Sequence, residues 1–348
     1  MLGMPGITHG EPDVYDLIPK VELHCHVEGA IRPSTMVEFA RNAKRELPFE
    51  ALSELQRYGS IHDFRRVFAL VLDTLTTADH WVRIGYESLI DGTQHGLRYR
   101  ELYFTPSRYM DDGQDLGMII DALSEGIAVA EEETGARCQL IASCDRTLDP
   151  ASGISLVEEL VELRRAGRAE RVIGIGIDGP HSGFDLRSWG DAYEIAHKAG
   201  LRRTAHSQDG GPANVAIVLD HFGAERIDHA MDILDDPLLT NRVAEARIPI
   251  NVCPNSNVRI FNVYPSLEEH PFRRMREAGL LVTLNTDDPT MMDVNLGEEY
   301  RSVAKAMQFD FDAMAAISLD GIEASWLDES EKRSLRAIFQ KDLDALRH

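Results

Sequence analysis

Short apolar runs and amphipathic stretches alternate along this chain, and that alternation limits its fold more than any other feature of the sequence. The amphipathic stretches carry apolar residues about every 3.6 positions, which is typical of helices. They include residues 35–44, 81–92, 116–133, 155–168 and 193–198. Between them lie eight short runs with the length and composition of strands, at residues 21–26, 97–105, 137–144, 171–178, 201–206, 226–229, 249–253 and 281–287. Strand–helix units repeated in this way predict an α/β protein with a parallel (β/α)8 barrel, the TIM-barrel architecture.

The connection after the first predicted strand is longer than the others. We expect residues 30–95 to form a helical insertion that lies over the carboxyl end of the barrel as a lid, within a single domain that spans residues 1–348. Residues 309–348 are expected to form extra helices outside the barrel, and residues 1–18 an irregular arm. A doubly wound open sheet is the alternative architecture, but no Gly-x-Gly-x-x-Gly follows the first predicted strand.

Local signals place three helix boundaries. Asp236-Pro237 stands just before the apolar residues of 238–245, where a capping carboxylate and a proline favour the start of a helix. Gly135 and Gly200 each follow an amphipathic stretch, where glycine favours its end.

The composition narrows the classes of partner. The net charge of −22 over 348 residues argues against nucleic acid, because phosphate binding requires clustered Lys and Arg. No apolar run is long enough to span a membrane, and the N-terminus lacks the pattern of a secretory signal. The four cysteines are dispersed, which indicates reduced thiols. We therefore expect a cytoplasmic protein with no membrane partner. The sequence leaves the oligomeric state open, a homo-oligomer being one alternative.

Polar residues stand where the predicted strands end. His24 and His26 share one face of the first strand, because side chains alternate along a strand. In a parallel barrel the carboxyl ends of all strands meet at one mouth, where reactive groups lie. The residues His206, His229 and the pair Asp287-Asp288 end three further strands. Ordinary core histidines and capping aspartates explain each residue singly, but not their joint placement.

Three histidines and a carboxylate are the donor set of a catalytic zinc site, which keeps one position open for water. Zinc lowers the pKa of bound water towards about 7, so that hydroxide forms at neutral pH. A further histidine such as His229 would orient that hydroxide and stabilise charge in the transition state. The residues themselves thus point to metal-assisted hydrolysis.

Five segments resemble motifs of the adenosine and adenine deaminase family, which is part of the metal-dependent amidohydrolase superfamily. They are PKVELHCHVEG at 19–29, ERIDH at 225–229, CPNSN at 253–257, NTDDP at 285–289 and IEASWL at 322–327. These segments occur in the family's order. The resemblance therefore covers nearly the whole chain.

The resemblance implies a zinc-dependent aminohydrolase that removes the exocyclic amine of a purine-type ring, such as adenine or adenosine. His229 matches the residue that orients the zinc hydroxide, and Asp288 matches the one that hydrogen-bonds N7 of the purine. Gly29 lies where the family brings backbone close to the base or sugar. Glu28 replaces an Asp of adenosine-specific members and is similar to the adenine-specific branch. The residues that match the ligands of one zinc ion per subunit are His24, His26, His206 and Asp287.

The sequence departs from the family at the catalytic acid. The family's motif is His-Ala-Gly-Glu, whose Glu protonates N1 of the ring as hydroxide attacks C6, whereas residues 206–209 here read HSQD. Asp209 is thus the expected acid, but one methylene shorter, which withdraws its carboxyl by about 1.5 Å. A misplacement of about 1 Å can reduce a rate about a hundredfold.

Two further departures lie beside the expected site. His181, in the segment DGPHSG at 178–183, is a candidate substrate contact where the family usually has a Gly or an acidic residue. A solvent-facing loop histidine is the alternative interpretation. Ala230, which follows His229, replaces a Gly of the family, a small steric change beside the expected site.

Three functions stay open at this point. The first is zinc-dependent deamination of adenine, adenosine or a related aminopurine. The second is hydrolytic deamination of a non-purine or modified amino-heterocycle in secondary metabolism, for which the ring nitrogen would lie closer to Asp209. The third is a non-catalytic zinc- or nucleoside-binding homologue. The complete set of six strand-end residues argues against the third, since a binding protein has no chemical need for all of them.

Overall fold

The computed structural model describes residues 13–44, 61–179, 183–207, 210–260 and 263–347. Its strands are all parallel and form two hydrogen-bonded sheets, one of five strands and one of four. In chain order the strands are β1 (Lys20–His26), β2 (Leu97–Phe104), β3 (Arg137–Asp145), β4 (Val172–Asp178), β5 (Arg202–Arg203), β6 (His206–Ser207), β7 (Ile227–His229), β8 (Ile250–Val252) and β9 (Val282–Leu284).

The two sheets join into one closed barrel. On one side the His26 N–H donates to the Asp287 carbonyl at 2.8 Å, and the Asp287 N–H donates to the His24 carbonyl at 3.1 Å. These two bonds connect β1 to the segment after β9. All eight predicted strand positions are therefore confirmed, and the TIM-barrel fold with them.

The other junction interrupts the fifth strand position, which the structure divides between β5 and β6. β5 pairs with β4, whereas β6 pairs with β7. The side chain of Arg146 is fully buried at this junction. Its guanidinium donates to the carbonyls of Ile177 at 3.2 Å and His206 at 3.1 Å, and so connects β4 and β6, which are not paired with each other among the described residues.

Helices surround the barrel, and several interrupt the first connection as predicted. In chain order they are α1 (Val14–Leu17), α2 (Pro33–Asn42), α3 (Ile61–Leu72), α4 (Ala78–Thr93), α5 (Ser107–Asp111), α6 (Leu116–Thr134), α7 (Pro150–Arg165), α8 (Gly190–Lys198), α9 (Gly211–Asp220), α10 (Pro237–Glu245), α11 (Pro254–Arg259), α12 (Phe272–Glu277), α13 (Pro289–Met292), α14 (Leu296–Ala306), α15 (Phe311–Ala324) and α16 (Glu329–Leu346). Helices α2, α3 and α4 occupy the insertion between β1 and β2. Among the described helices, none is long and apolar enough to cross a membrane.

The predicted helix boundaries are confirmed by their capping geometry. The Asp236 side chain accepts from the N–H groups of Leu238 and Leu239 at the start of α10. Gly135 ends α6 with φ of 73°, a left-handed conformation that glycine adopts without steric cost. Part of the expected irregular N-terminal arm is helical instead. The Asp13 side chain caps α1, and the Asp13 N–H in turn donates to the Asp16 side chain. This reciprocal capping explains a helix where apolar periodicity alone gave no signal.

Two buried ion pairs begin on β2. The Arg100 side chain points outward, where it also donates to the Ser88 carbonyl of α4, and the Glu101 side chain points into the barrel. Arg100 pairs with Glu22 at 2.5 Å, and Arg226 pairs with Glu101 at 2.5 Å, all four side chains being almost fully buried. The Arg226 guanidinium also lies 3.9 Å from the centre of a Trp326 ring, and the Trp326 N–H donates to Glu101 at 2.7 Å. The segment 322–327 thus closes the amino end of the barrel, opposite the mouth where the site lies.

Candidate active site

The carboxyl ends of the strands open into a cavity of about 200 Å³. Helix α3 covers one side of it, where Phe64 and Phe68 stack with ring centres 5.3 Å apart. The described residues that line the cavity are His26, Glu28, Phe64, Arg65, Phe68, Ala69, Leu72, Thr105, Arg108, Asp145, Thr147, Asp178, Gly179, His206, His229, Asp287 and Asp288. Residues predicted from separate strand ends therefore meet at one mouth.

The two histidines of β1 point at the same centre. His24 Nε2 lies 3.1 Å from Asp287 Oδ1, while His24 Nδ1 lies 3.2 Å from Asp228 Oδ1. His26 Nε2 lies 3.2 Å from His206 Nε2 and 3.4 Å from Asp287 Oδ1. Ring nitrogens of three histidines thus converge on one carboxylate.

This donor set fits a metal ion. One ligand atom each from His24, His26, His206 and Asp287 lie within 4.8 Å of one another, and all four residues are buried. Three imidazoles and a carboxylate suit zinc. A second, overlapping set replaces His26 and His206 with His229 and Cys253. Burial raises the pKa of the Cys253 thiol well above its ordinary value, and a protonated thiol is a poor ligand, so the first set fits better.

The backbone is strained at two of the strand ends. Asp287 has φ of 66°, His229 has φ of 68° and Ala230 has φ of 47°. Left-handed conformations are unfavourable for these residue types and concentrate at functional sites. The value at Ala230 also gives a physical reason for glycine at that position in the family's motif. Ser256 Oγ donates to Asp287 Oδ2 at 2.6 Å and fixes the carboxylate that this backbone presents.

Asp228 is a buried hydrogen-bond centre that sequence reasoning missed. Its carboxylate accepts from Tyr103 at 3.0 Å, from Thr204 at 2.9 Å and from Asn251 at 2.9 Å, besides facing His24 Nδ1. Burial alone would raise the pKa of Asp228, but His24, His206 and Arg226 hold it well below its usual range. An ionised carboxylate at Nδ1 favours a proton on that nitrogen, which leaves the Nε2 lone pair of a neutral His24 for a metal ion.

Asp178 is the second residue that the sequence analysis passed over, although it ends β4 just as the other site residues end their strands. Its Oδ2 lies 3.5 Å from His26 Nδ1, and its Oδ1 lies 3.7 Å from His206 Nε2. The Gly179 N–H donates to Asp178 Oδ1 at 2.7 Å. The rule that selected Asp287 as a strand-end carboxylate would have selected Asp178 as well.

His229 lies beside the donor set as a neutral imidazole. Its Nε2 is 4.0 Å from Asp287 Oδ2, and its Nδ1 is 3.2 Å from Asn257 Nδ2. Burial is the main cause that lowers the pKa of His229 to about 4.

Two acids and a glycine form the wall beside the centre. Glu28 Oε1 accepts from the Thr105 N–H at 2.9 Å, whereas its Oε2 is buried without a hydrogen bond among the described residues. Burial raises the pKa of Glu28 to about 7. Burial and the adjacent Asp287 charge raise the pKa of Asp288 well above its ordinary value. Gly29 packs so closely on Asp288 that a Cβ atom there would lie 1.9 Å from Asp288 Oδ1.

Two residues of the predicted site, Asp209 and His181, lie outside the described residues. The structure brings the other predicted residues together: His24, His26, Glu28, Gly29, His206, His229, Asp287 and Asp288.

Comparison with known proteins agrees with this geometry. A family model described as adenosine deaminase matches residues 19–341. An adenine deaminase of Streptomyces coelicolor is 30% identical over 343 residues, which cover 95% of this chain and 96% of that protein. An adenosine deaminase of Clostridium perfringens is 30% identical over 327 residues, which cover 92% and 97%.

A solved structure shares the fold over almost its full length. An amidohydrolase from Burkholderia ambifaria with bound Zn superposes with a TM-score of 0.88 at 29% identity, covering 98% of this chain and 96% of that chain. The matched span includes every strand end described above. The chain belongs to the adenosine deaminase family of hydrolytic deaminases.

Proposed function

We propose that this protein is a zinc-dependent deaminase of adenine, adenosine or a related aminopurine. The reaction replaces the exocyclic amine at C6 with oxygen from water and releases ammonia. The observation that carries the proposal is the buried convergence of three imidazoles and Asp287 beside Asp288 and His229 at the barrel mouth.

The proposed metal site consists of His24, His26, His206 and Asp287, with one zinc ion per subunit. When bound, zinc supplies Lewis acidity and makes water a nucleophile at neutral pH. The bound Zn in the Burkholderia amidohydrolase supports this choice of metal. Asp228 and Ser256 orient two of the ligands, His24 and Asp287, through the contacts described above.

Asp288 is proposed to hold the purine. Atom N7 of a purine is a hydrogen-bond acceptor, so a carboxyl group binds it only when protonated. Burial and the adjacent Asp287 charge raise the pKa of Asp288 and so favour that protonated form, and its Oδ1 is buried without a hydrogen bond among the described residues. Gly29 leaves the space in which this side chain lies.

Asp209 and His229 are proposed to complete the chemistry. Asp209 would deliver a proton to N1 as water oxygen attacks C6. One proton of that water then passes to the amine nitrogen, the C6–N bond breaks with release of ammonia, and the second proton of the water restores Asp209. His229, neutral and buried, would hydrogen-bond the attacking oxygen. Both roles rest on the match to the family's motifs.

Glu28 and His181 are the residues proposed to select the substituent at the sugar position. Glu28 lines the cavity, and its Oε2, which has no hydrogen bond among the described residues, would bind a polar group of the substrate. Overall similarity does not choose the substrate, since the adenine deaminase and the adenosine deaminase compared above share the same 30% identity with this chain. Residues 30–95 are proposed to act as the lid within one domain. A cytoplasmic location and the absence of nucleic-acid partners stay predictions, and a homo-oligomer stays an open alternative.

The decisive experiment is ammonia release from a panel of purified substrates, with zinc content measured on the same sample. Adenine, adenosine, deoxyadenosine, thio-substituted nucleosides, guanine and modified adenines form the panel. Turnover of an aminopurine by zinc-loaded protein supports the proposal. Silence across the panel, with zinc present, contradicts it and favours a different amino-heterocycle, whose ring nitrogen lies closer to the shortened Asp209.

The metal assignment has its own test. Asp287→Ala removes one ligand, so zinc content measured by plasma mass spectrometry should fall together with activity. Full zinc occupancy in this variant would refute the assignment of Asp287.

A further inference from the structure

Three side chains form a hydrogen-bonded row behind the site, and the proposed chemistry does not use two of them. Asn257 Nδ2 lies 3.2 Å from His229 Nδ1, and Asn257 Oδ1 lies 3.0 Å from His270 Nε2. The row ends at the backbone, because the Phe272 N–H lies 3.1 Å from His270 Nδ1. Asn257, His229 and His270 are all buried.

The backbone end of the row fixes every proton along it. A backbone N–H can only donate, so His270 Nδ1 must accept, and a neutral His270 carries its proton on Nε2. That proton is donated to Asn257 Oδ1, which accepts. The amide nitrogen of Asn257 must then donate, so His229 Nδ1 accepts. A neutral His229 therefore carries its proton on Nε2, the nitrogen that faces Asp287.

The surroundings of His270 favour its neutral form and hold its side chain in one position. Burial, His229 and Arg274 lower the pKa of His270 to about 3. The edge of its ring meets Tyr264 with ring centres 5.0 Å apart, and the Tyr264 hydroxyl is anchored on the Met231 carbonyl at 3.2 Å. Phe272, which supplies the terminal N–H, is fully buried in the core.

We propose that Asn257 and His270 are positioning residues that hold His229 in its Nε2–H tautomer. His229 then presents a hydrogen-bond donor, not a lone pair, to the oxygen that attacks the substrate. It stabilises charge on that oxygen and does not act as its base. The effect on rate rests on the proposed function, but the tautomer itself does not.

The hydrogen-bonded row predicts opposite effects on the His229 tautomer for substitutions at Asn257 and at His270. Asn257→Asp replaces the donor amide with an acceptor, so a proton moves to His229 Nδ1. His270→Gln keeps a donor amide within reach of Asn257 Oδ1 and a carbonyl oxygen for the Phe272 N–H. The first substitution should abolish the Nε2–H tautomer of His229, and the second should preserve it.

The test is the ¹⁵N NMR spectrum of histidine side chains in the zinc-loaded full-length protein, selectively labelled and free of substrate. Protonated and bare ring nitrogens have distinct ¹⁵N shifts, and the signals that disappear in His229→Gln assign His229. We expect Nε2–H in the wild type and in His270→Gln, and a protonated Nδ1 in Asn257→Asp. An Nδ1–H tautomer or an imidazolium in the wild type at neutral pH overturns the proposal, even if no variant folds.

Kinetics give a second, separable readout. Loss of one preorganised donor typically lowers kcat about a hundredfold or more, so Asn257→Asp should lower kcat by that factor with KM almost unchanged. His270→Gln should stay much closer to the wild type than His270→Leu. Nε2–H in the wild type without any deaminase activity would retain the positioning of His229 and reject only the proposed function. An unchanged kcat in a folded Asn257→Asp whose tautomer has switched would show that the donor has no role in the rate.

Discussion

Replacing Gly29 with alanine adds a single methyl group where Gly29 packs against Asp288. The added Cβ would lie 1.9 Å from Asp288 Oδ1 and 2.6 Å from Asp288 Cγ. Ordinary van der Waals contact begins at 3.4 Å, so the carboxyl group must withdraw by about 1.5 Å. The backbone of Gly29 does not have a positive φ, so alanine itself introduces no conformational strain.

The main chain beside Asp288 has little freedom to absorb this displacement. The preceding residue, Asp287, is held to β1 by both its N–H and its carbonyl group. Asp288 is also the residue that precedes Pro289 at the start of α13. The side chain must therefore rotate away from its place in the cavity wall. A misplacement of about 1 Å costs about a hundredfold in rate, so kcat/KM should fall by at least that factor.

The assay is ammonia release with the best aminopurine of the panel, together with zinc content and thermal unfolding. Zinc content should stay at the wild-type level, because Gly29 contacts Asp288 and not the ligand atoms of the proposed metal site. Gly190→Ala is the matched control, since a Cβ there would meet no atom within 4 Å. A Gly29→Ala enzyme whose kcat/KM equals that of the control would refute the proposed role of Asp288 in holding the purine.

Three further predictions concern individual acidic residues. Asp209→Asn should retain zinc and substrate binding while kcat falls by about two decades or more; an unchanged kcat would remove Asp209 from the mechanism. Asp228→Asn removes the charge that orients His24, so zinc affinity, measured by competition with a chromogenic chelator, should fall about 10- to 100-fold. Burial raises the pKa of Glu299 to about 8, so stability from its protonated form is present at low pH and lost as pH rises through about 8. The urea midpoint of Glu299→Gln should therefore gain on the wild type between about pH 5 and pH 9, and a constant difference would contradict the shift.

The barrel could be predicted from the sequence because its signals are local. Every strand position and the start of α10 at Asp236 follow from apolar spacing and capping residues. The division of the fifth strand position into β5 and β6 did not follow, because it depends on which neighbour each half pairs with. The buried Arg146 that joins the halves lies far along the chain from His206, whose carbonyl it binds.

The sequence predicted the site residues that end strands, but not the residues that orient them through hydrogen bonds. His24, His26, His206 and Asp287 share a position rule, and the structure brings them together. Asp228 has its role only because Tyr103, Thr204 and Asn251 surround it in three dimensions. Likewise, nothing around His270 in the sequence indicates that Asn257 connects it to His229. Partners of this kind are set by packing and not by spacing.

The charged floor of the barrel determines how molecules enter and leave. Arg226 and Glu101 are fully buried at the amino end and the half-buried Trp326 lies over them, so among the described residues the cavity opens at the mouth beneath α3. In the proposed reaction, water and the purine enter by the same route through which ammonia and the lactam product leave. Ammonia is much smaller than the ring, so we expect release of the ring to depend more on movement of α3 than release of ammonia does. A product analogue that binds tightly in the cavity would then block this route for both substrate and product. A substitution that loosens the packing of α3 should speed product release without changing the residues that carry out the reaction.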